Sequence, residues 1–573
     1  MNAAGTAGED AIAGSGPDVA AALGAELVAL GVETVFGVLG SGNFALTRAA
    51  VDAGTRFLHA RHECAAVSMA DAYARVTGRL GVATVHQGPG LTNATTALAE
   101  AAKARTPLLL LAGATSAAAV RSNFRIDQAG LAASVGAVAE RVATPESALT
   151  DLRRAVSRAR QDRCAVLLDL PLDVQASPLP APASGVAASP PELSAPAPAP
   201  EAVAAAAQVL VEARRPAVIA GRGAVLAGAG PALSALAGRI GALLATSANG
   251  HGLFAGQDFA LGIAGGFASP DAAALLADAD VVLAVGATLN MWTTRHGSLL
   301  GPSTRIVQVD LEAGAIGAHQ PVALGVVGDA ARTADALNAE LDRRGHRAAG
   351  LRRPAVAARI AAGRWTARLD GDLAATPAPS RHGPARIDPR ALSAALDSLL
   401  PRARTVVVDS GHFMGWPAMY LGVPDAAGFV FPQAFQSVGL GLGAALGAAA
   451  ARPDRVTVAA VGDGGLLMSL GELETAVRLR LPLLVVVYDD AAYGAEVHHF
   501  RPQGQKVDLV QFDEVDFAAL GRAAGGEGIT VRATADLEAV RGWLDRRDRL
   551  LVVDAKVDPD VVAEWLAEAF RAH

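Results

Sequence analysis

Two turns in the C-terminal third constrain this chain most: Gly462-Asp463-Gly464-Gly465, and Asp489-Asp490 followed by Ala492-Tyr493-Gly494. Each follows an apolar run of strand character, at 456–461 and 481–488, and a helical run over 470–480 lies between them. A strand, a crossover helix and a second strand form a βαβ unit, whose crossover brings both strand ends to the same edge of a parallel sheet. Asp463 and Asp490 are therefore expected side by side. A hard divalent cation takes oxygen ligands, and Mg²⁺ in particular combines one or two carboxylates with phosphate oxygens. A glycine-rich turn lets backbone come close to such a phosphate. The segment reads as a metal-diphosphate anchor. Either turn alone is also what an ordinary polar strand end looks like; the specificity lies in the pair and its spacing.

The same alternation runs along the chain. Strand-like runs at 34–38, 82–86, 108–112 and 165–170 are separated by helical stretches such as 19–30 and 65–77. Further strands are read at 216–220, 281–285 and 305–310, and then at 405–408, 456–461, 483–488 and 550–554. This pattern predicts an α/β fold of three doubly wound parallel-sheet domains. The expected boundaries are a flexible tail over 1–17, domains at 18–175, 201–344 and 390–573, a Pro/Ala linker at 176–200 and a second linker at 345–389. With 51% hydrophobic residues but only 4% aromatics, the interior must be built of small side chains, which suits helices packed closely on parallel sheets. The first and third blocks each place a glycine turn after a strand, so they are candidates for related folds.

A net charge of −7 without a basic stripe argues against nucleic acid or an anionic membrane as partner. The apolar runs are also far shorter than the ~20 residues of a membrane span. Cys64 and Cys164 are too few for a disulfide framework or a cysteine zinc site. Residues 1–17 carry no basic residue and no apolar core of signal-peptide type, so the expected location is cytoplasmic.

In the first block Glu63 opens a helical run, a position that the helix dipole also favours for a carboxylate. His86-Gln87-Gly88-Pro89-Gly90, with Thr92-Asn93 after it, turns a strand end into a helix. Together with the two acidic turns, this order of motifs resembles the thiamine diphosphate (ThDP) enzymes of the acetolactate synthase and benzaldehyde lyase group, over about 18–566. In that family GDG is followed by Asn-Asn or a near variant, so Asp489-Asp490 adds negative charge here.

The resemblance implies pyrimidine-binding, central and diphosphate-binding domains in that order. It implies that the Asp463 and Asp490 side chains and the Ala492 carbonyl hold Mg²⁺, with Gly462, Gly464, Gly465, Tyr493 and Gly494 around the diphosphate. Glu63 would act catalytically, hydrogen-bonding N1′ of the cofactor's aminopyrimidine so that its imino form removes the thiazolium C2 proton, with Pro89 and Asn93 beside it. Gly411 would offer its backbone to the aminopyrimidine, His412 would approach the diphosphate, and Val438 would wedge between the two rings. Gln128, in Phe124-Arg125-Ile126-Asp127-Gln128, is expected to point at the substrate carbonyl, with Ser41, Asn43, Gln87, His498 and His499 as further substrate contacts.

Trp292 and His499 stand where acetolactate synthase carries an arginine and a selecting tryptophan, which counts against FAD and against true acetolactate synthesis. The adjacent-histidine motif of pyruvate-type decarboxylases is missing from 121–128. The segment 290–297 would either line the entrance to the site or cover the middle domain. The implied function is a ThDP- and Mg²⁺-dependent transferase or lyase that breaks or forms C–C bonds in a 2-oxo acid or acyloin. The alternatives are a 2-oxo acid decarboxylase, a benzaldehyde lyase-type lyase or, from a different class, a non-catalytic ThDP-binding regulatory subunit. The partners implied are a small 2-oxo acid or aldehyde and further copies of the chain, as a homodimer or homotetramer with the active site at the subunit interface.

Overall fold

The computed structural model describes residues 17–180, 194–374 and 385–569. The expected tail, apart from Pro17, and the middle of the expected 176–200 linker lie outside the described residues. The described strands form three sheets of six, paired in parallel throughout.

The first sheet takes, in chain order, Thr34–Gly37, Arg56–His59, Gly81–Val85, Leu108–Ala114, Val138–Arg141 and Ala165–Pro171. Across the sheet these lie second, first, third, fourth, sixth, fifth. The last sheet, from Arg404–Val408 to Leu551–Lys556, repeats that order strand for strand. The relation between first and third blocks is therefore one of topology. The middle sheet runs from Pro216–Ala220 to Leu324–Val327, and its order, read from one edge, is third, second, first, fourth, fifth, sixth, the doubly wound arrangement of dinucleotide-binding folds.

Strands buried on both faces read as unbroken apolar runs rather than as alternating ones. Leu108–Ala114, Ala165–Pro171 and Leu483–Asp489 are buried at every position. The small side chains do what composition requires: a Cβ on Gly24 would lie 2.6 Å from the backbone of Ala49, so helix Val19–Ala29 approaches helix Phe44–Asp52 at a distance only glycine allows.

The chain divides into two compact units with the break at residues 192 and 193, and the short stretch 75–78 counts with the second. The first sheet belongs to the first unit, and the middle and last sheets share the second. The expected linker over 345–389 needs correction. It contains helices Pro354–Ala362 and Trp365–Ala374, pinned by Ile360 in the core and by the Trp365 indole N–H on the Phe267 carbonyl at 2.9 Å.

The 290–297 segment spends its polar groups on structure. Asn290 caps the Thr293 N–H at 3.1 Å, Arg295 donates to the Gly265 carbonyl at 3.0 Å, and His296 Nε2 lies 2.9 Å from the Glu568 carbonyl. Trp292 meets Trp565 edge-on, with ring centroids 6.4 Å apart. The segment thus fastens the C-terminal helix Glu564–Ala569 to the middle domain.

Candidate active site

Strands Val456–Gly462 and Leu483–Asp489 are neighbours, with Gly462 opposite Tyr488, so the residues that follow each emerge together. Asp463 Oδ1 accepts the Gly464 N–H at 2.8 Å. The Ala492 N–H donates to Asp463 Oδ2 at 3.1 Å and to Asp490 Oδ1 at 3.2 Å, so both carboxylates converge on one amide. Burial, then the charge of Asp489, pushes the Asp463 carboxyl up to about 7. Burial, then the charge of Asp463, holds Asp490 well above the usual carboxylate range. Taking a carboxylate out of water beside another disfavours its charged form, and a bound cation reverses that penalty.

The donor set fits Mg²⁺: two hard carboxylates beside a turn of backbone carbonyls, with room for phosphate oxygens and water. Among the described residues no cluster of three or more His, Cys, Asp or Glu would hold a metal unaided. A Cβ on Gly494 would collide with Asp490 Oδ2, and one on Gly464 would lie 2.5 Å from the Tyr493 ring, so the turn needs both glycines. A cavity of about 280 Å³ opens beside Asp463, Gly464 and Tyr493, with Met468 and Phe512 on its apolar wall.

Asp409, at the end of strand Arg404–Val408, is fully buried and orders the neighbouring loops. Its carboxylate accepts the Ser410 N–H at 2.9 Å and the Gly439 N–H at 3.0 Å, and the Leu440 and Gly441 N–H groups also reach it. Burial raises it to about 6, against those bonds. The Gly411 turn and the loop carrying Val438 are tied together in this way. Gly411 itself has φ 146°, a conformation that favours glycine.

His412 follows the Gly411 turn and is buried. Its Nε2 accepts the Ala563 N–H at 3.0 Å, and burial, then the neighbouring His498, presses its pKa down to about 3. The ring is a neutral anchor for the C-terminal segment, with His498 4.4 Å away. His498 is itself lowered by burial and Arg501, and His499 lies 3.3 Å from the Gln503 amide.

In the first unit, Glu63 begins helix Glu63–Thr77 and the 86–90 turn leads into helix Pro89–Lys103. Asn93, one turn into that helix, donates its amide to Glu63 Oε2 at 3.0 Å, and Pro89 stands exposed at the helix start. A Cβ on Gly90 would sit 3.5 Å from Glu63 Oε1, so the glycine leaves the carboxylate room.

Two substrate candidates in this unit, Gln128 and Asn43, are bonded within the fold. Gln128 is buried: its Oε1 accepts the Gly88 N–H at 3.0 Å, and its Nε2 donates to the Gly113 carbonyl at 3.0 Å and to Asp169 at 2.6 Å. It positions the 86–90 turn rather than facing a substrate. Asn43, 1% exposed, donates to the Val38 carbonyl and to Thr84 Oγ1, both at 3.1 Å, and accepts the Gly40 N–H at 2.9 Å. Gln87 is buried against Gly42 and Gly113, and its Oε1 has no hydrogen-bond partner among the described residues. Gln128→Leu is expected to cost about 1–3 kcal/mol in denaturant unfolding, because it strands the Gly88 N–H and the Gly113 carbonyl.

Ser41 remains exposed, and its partner is a residue that sequence reasoning missed. His86 Nδ1 lies 2.8 Å from the Gln87 carbonyl, which can only accept, so Nδ1 carries the proton and Nε2 accepts from Ser41 Oγ at 3.3 Å. Phe124, 44% exposed, meets the His86 ring edge-on at 4.9 Å. The signal was on the page, since His86 is the polar residue directly after a buried strand.

Residues 17–133, 203–337 and 409–555 match, respectively, the N-terminal TPP binding domain, the central domain and the C-terminal TPP binding domain of thiamine pyrophosphate enzymes. A probable 2-ketoarginine decarboxylase of Pseudomonas aeruginosa is 33% identical, covering 89% of this chain and 88% of its own. A sulfoacetaldehyde acetyltransferase of Castellaniella defragrans is 29% identical over the same shares, and the acetolactate synthase isozyme 3 large subunit of Escherichia coli is 28% identical over 93% of each chain. With all three domains matched in order on three parallel α/β sheets, the chain belongs to the thiamine pyrophosphate enzymes.

Proposed function

We propose that this protein is a ThDP- and Mg²⁺-dependent enzyme that breaks or forms the C–C bond beside the carbonyl of a 2-oxo acid or acyloin, in the manner of acetolactate synthase. The observation that carries the reading is the convergence of Asp463 and Asp490 on the Ala492 N–H, where the charges acting on both are other carboxylates. When bound, ThDP supplies the electron sink for such a bond.

The chain supplies placement and proton handling. Asp463, Asp490 and the Ala492 carbonyl hold the cation, and the glycines of the 462–465 turn and Gly494 leave space for the diphosphate. Glu63, oriented by Asn93, holds the proton that activates the cofactor. Gly411 and Val438, set by Asp409, shape the ring site. His86 and Ser41 form the polar pair that faces the reacting carbonyl, with Phe124 as the apolar wall. His498 and His499 remain proposed substrate contacts.

Exposed apolar side chains rim the diphosphate side, among them Phe435, Leu467 and Met468 at 44%, 46% and 60%. A second copy would cover them, and the proposed active form is a homodimer or homotetramer. Two cysteines in 573 residues suit the proposed cytoplasmic location. No helix among the described residues is long and apolar enough to cross a membrane.

Purified protein with ThDP, Mg²⁺ and a panel of 2-oxo acids, with and without an aldehyde, is expected to release carbon dioxide or to yield a ligated product by mass spectrometry. Neither product from any member of the panel, with acyloins also left intact, would refute the reading. His86→Ala is expected to lower kcat/KM about 10²-fold or more while leaving the ThDP-induced rise in melting temperature in place.

A further inference from the structure

Asp489 adds a third carboxylate to a site that already repels two. The structure provides its answer one strand away. Asp489 ends strand Leu483–Asp489 in register with Lys556, which ends strand Leu551–Lys556, so the two side chains leave the sheet at the same level. Lys556 Nζ lies 2.5 Å from Asp489 Oδ2, and the two residues are 3% and 1% exposed. The same ammonium is 3.0 Å from Asp554 Oδ2 and 2.6 Å from the Val515 carbonyl, which accounts for its three donors. Asp489 Oδ1 takes the Ala491 N–H at 3.0 Å, so both of its oxygens are engaged.

A second cation grips the backbone of the same residue. Arg386 Nη1 donates to the Asp489 carbonyl and to the Val557 carbonyl, both at 3.2 Å, and its other nitrogen pairs with Glu514. Successive residues of an extended chain face opposite sides. Fixing Asp489 toward Lys556 therefore fixes the strand end from which Asp490 follows.

We propose that Lys556 is a positioning residue: as the built-in counter-ion of Asp489, it offsets that carboxylate's charge beside the cation site and holds its side chain in place, so that Asp463 and Asp490 are the carboxylates free to take the cation. The proposal rests on the reading of Asp463 and Asp490 as cation ligands. A buried ion pair adds little net stability over an apolar replacement, but removing one partner leaves the other's charge uncompensated. Losing Lys556 alone should therefore harm the site, and losing it together with the charges of Asp489 and Asp554 should largely spare it.

The test is a double-mutant cycle of Lys556→Met and Asp489→Asn in the full chain carrying Asp554→Asn as the parent, so that the ammonium's other carboxylate is not left buried and unpaired. It is read by calorimetric titration of ThDP in the presence of Mg²⁺ and by the melting temperature of the cation-free protein. Lys556→Met is expected to weaken Mg²⁺-supported binding by about tenfold or more and to lower the melting temperature. Asp489→Asn alone, and the double variant, are expected to stay within about threefold of the parent in binding, which a purely structural lysine would not produce. Parent-like binding and melting in Lys556→Met, or a double variant no better than Lys556→Met, would overturn the proposal. If Lys556→Met does not fold, a folded, binding double variant supports it and an unfolded one overturns it. If the parent itself fails to bind ThDP with Mg²⁺, the functional reading fails instead, and the counter-ion claim is then judged by the melting temperatures of the cycle.

Discussion

Glu63→Gln is expected to slow hydrogen–deuterium exchange at C2 of added ThDP by about 10²–10⁴-fold while leaving ThDP affinity within a few-fold of the parent. The carboxylate is placed with one oxygen held by the Asn93 amide at 3.0 Å and the other beside Gly90, where no side chain crowds it. Glutamine keeps the shape and accepts the same bond from Asn93, but cannot take and return a proton. Binding energy that comes from the diphosphate and the cation is untouched, so affinity and exchange should separate. NMR of the C2 position after quenched exchange reads the rate directly. Exchange at the parent rate in the variant would remove Glu63 from the proposed role.

Asp490→Asn is expected to act in opposite directions on binding and stability. Mg²⁺-supported ThDP binding should weaken by no more than about tenfold, since the amide keeps an oxygen for the cation but loses its charge. The melting temperature of the cation-free protein should rise, because the substitution removes one of two facing, buried carboxylates and keeps an oxygen for the Ala492 N–H. The sign follows from linkage. A carboxyl raised in the native state binds more protons there than in the unfolded chain, so stability falls as pH rises out of the ordinary carboxylate range. For the Asp463 and Asp490 pair this loss sets in above about pH 4 and, for Asp463, runs to about 7. The gain from Asp490→Asn should therefore be largest at neutral pH and vanish below about pH 4. A cation-free variant less stable than the parent at neutral pH would contradict the electrostatic account.

Architecture was readable because buried parallel strands are long apolar runs between helical ones, and the two acidic turns were readable because a βαβ crossover has only one way to bring its strand ends together. Less readable were side chains whose bonds run across the fold. Gln128 and Asn43 look like active-site amides in a line of letters, yet their partners, Asp169 and Gly113 for one and Thr84 for the other, lie on neighbouring strands of the sheet. His412 has the chemistry for a diphosphate, but its Nε2 meets an N–H from the far C-terminal segment. Lys556 gives no sign of its role in sequence, since Asp489 becomes its neighbour only through sheet register. The helices over 354–374 hid in an Arg/Pro/Ala stretch because they bury little more than Ile360.

The central claim is that two acidic turns hold a diphosphate through a divalent cation. Calorimetric titration of ThDP into the purified protein, with Mg²⁺ and then with the cation chelated, tests it most directly. The account predicts saturable one-site binding with Mg²⁺, a melting temperature that climbs with ligand as RT ln(1 + [L]/Kd) requires, and loss of both on chelation. Absence of binding with Mg²⁺ in excess, or equal binding without it, would contradict the account.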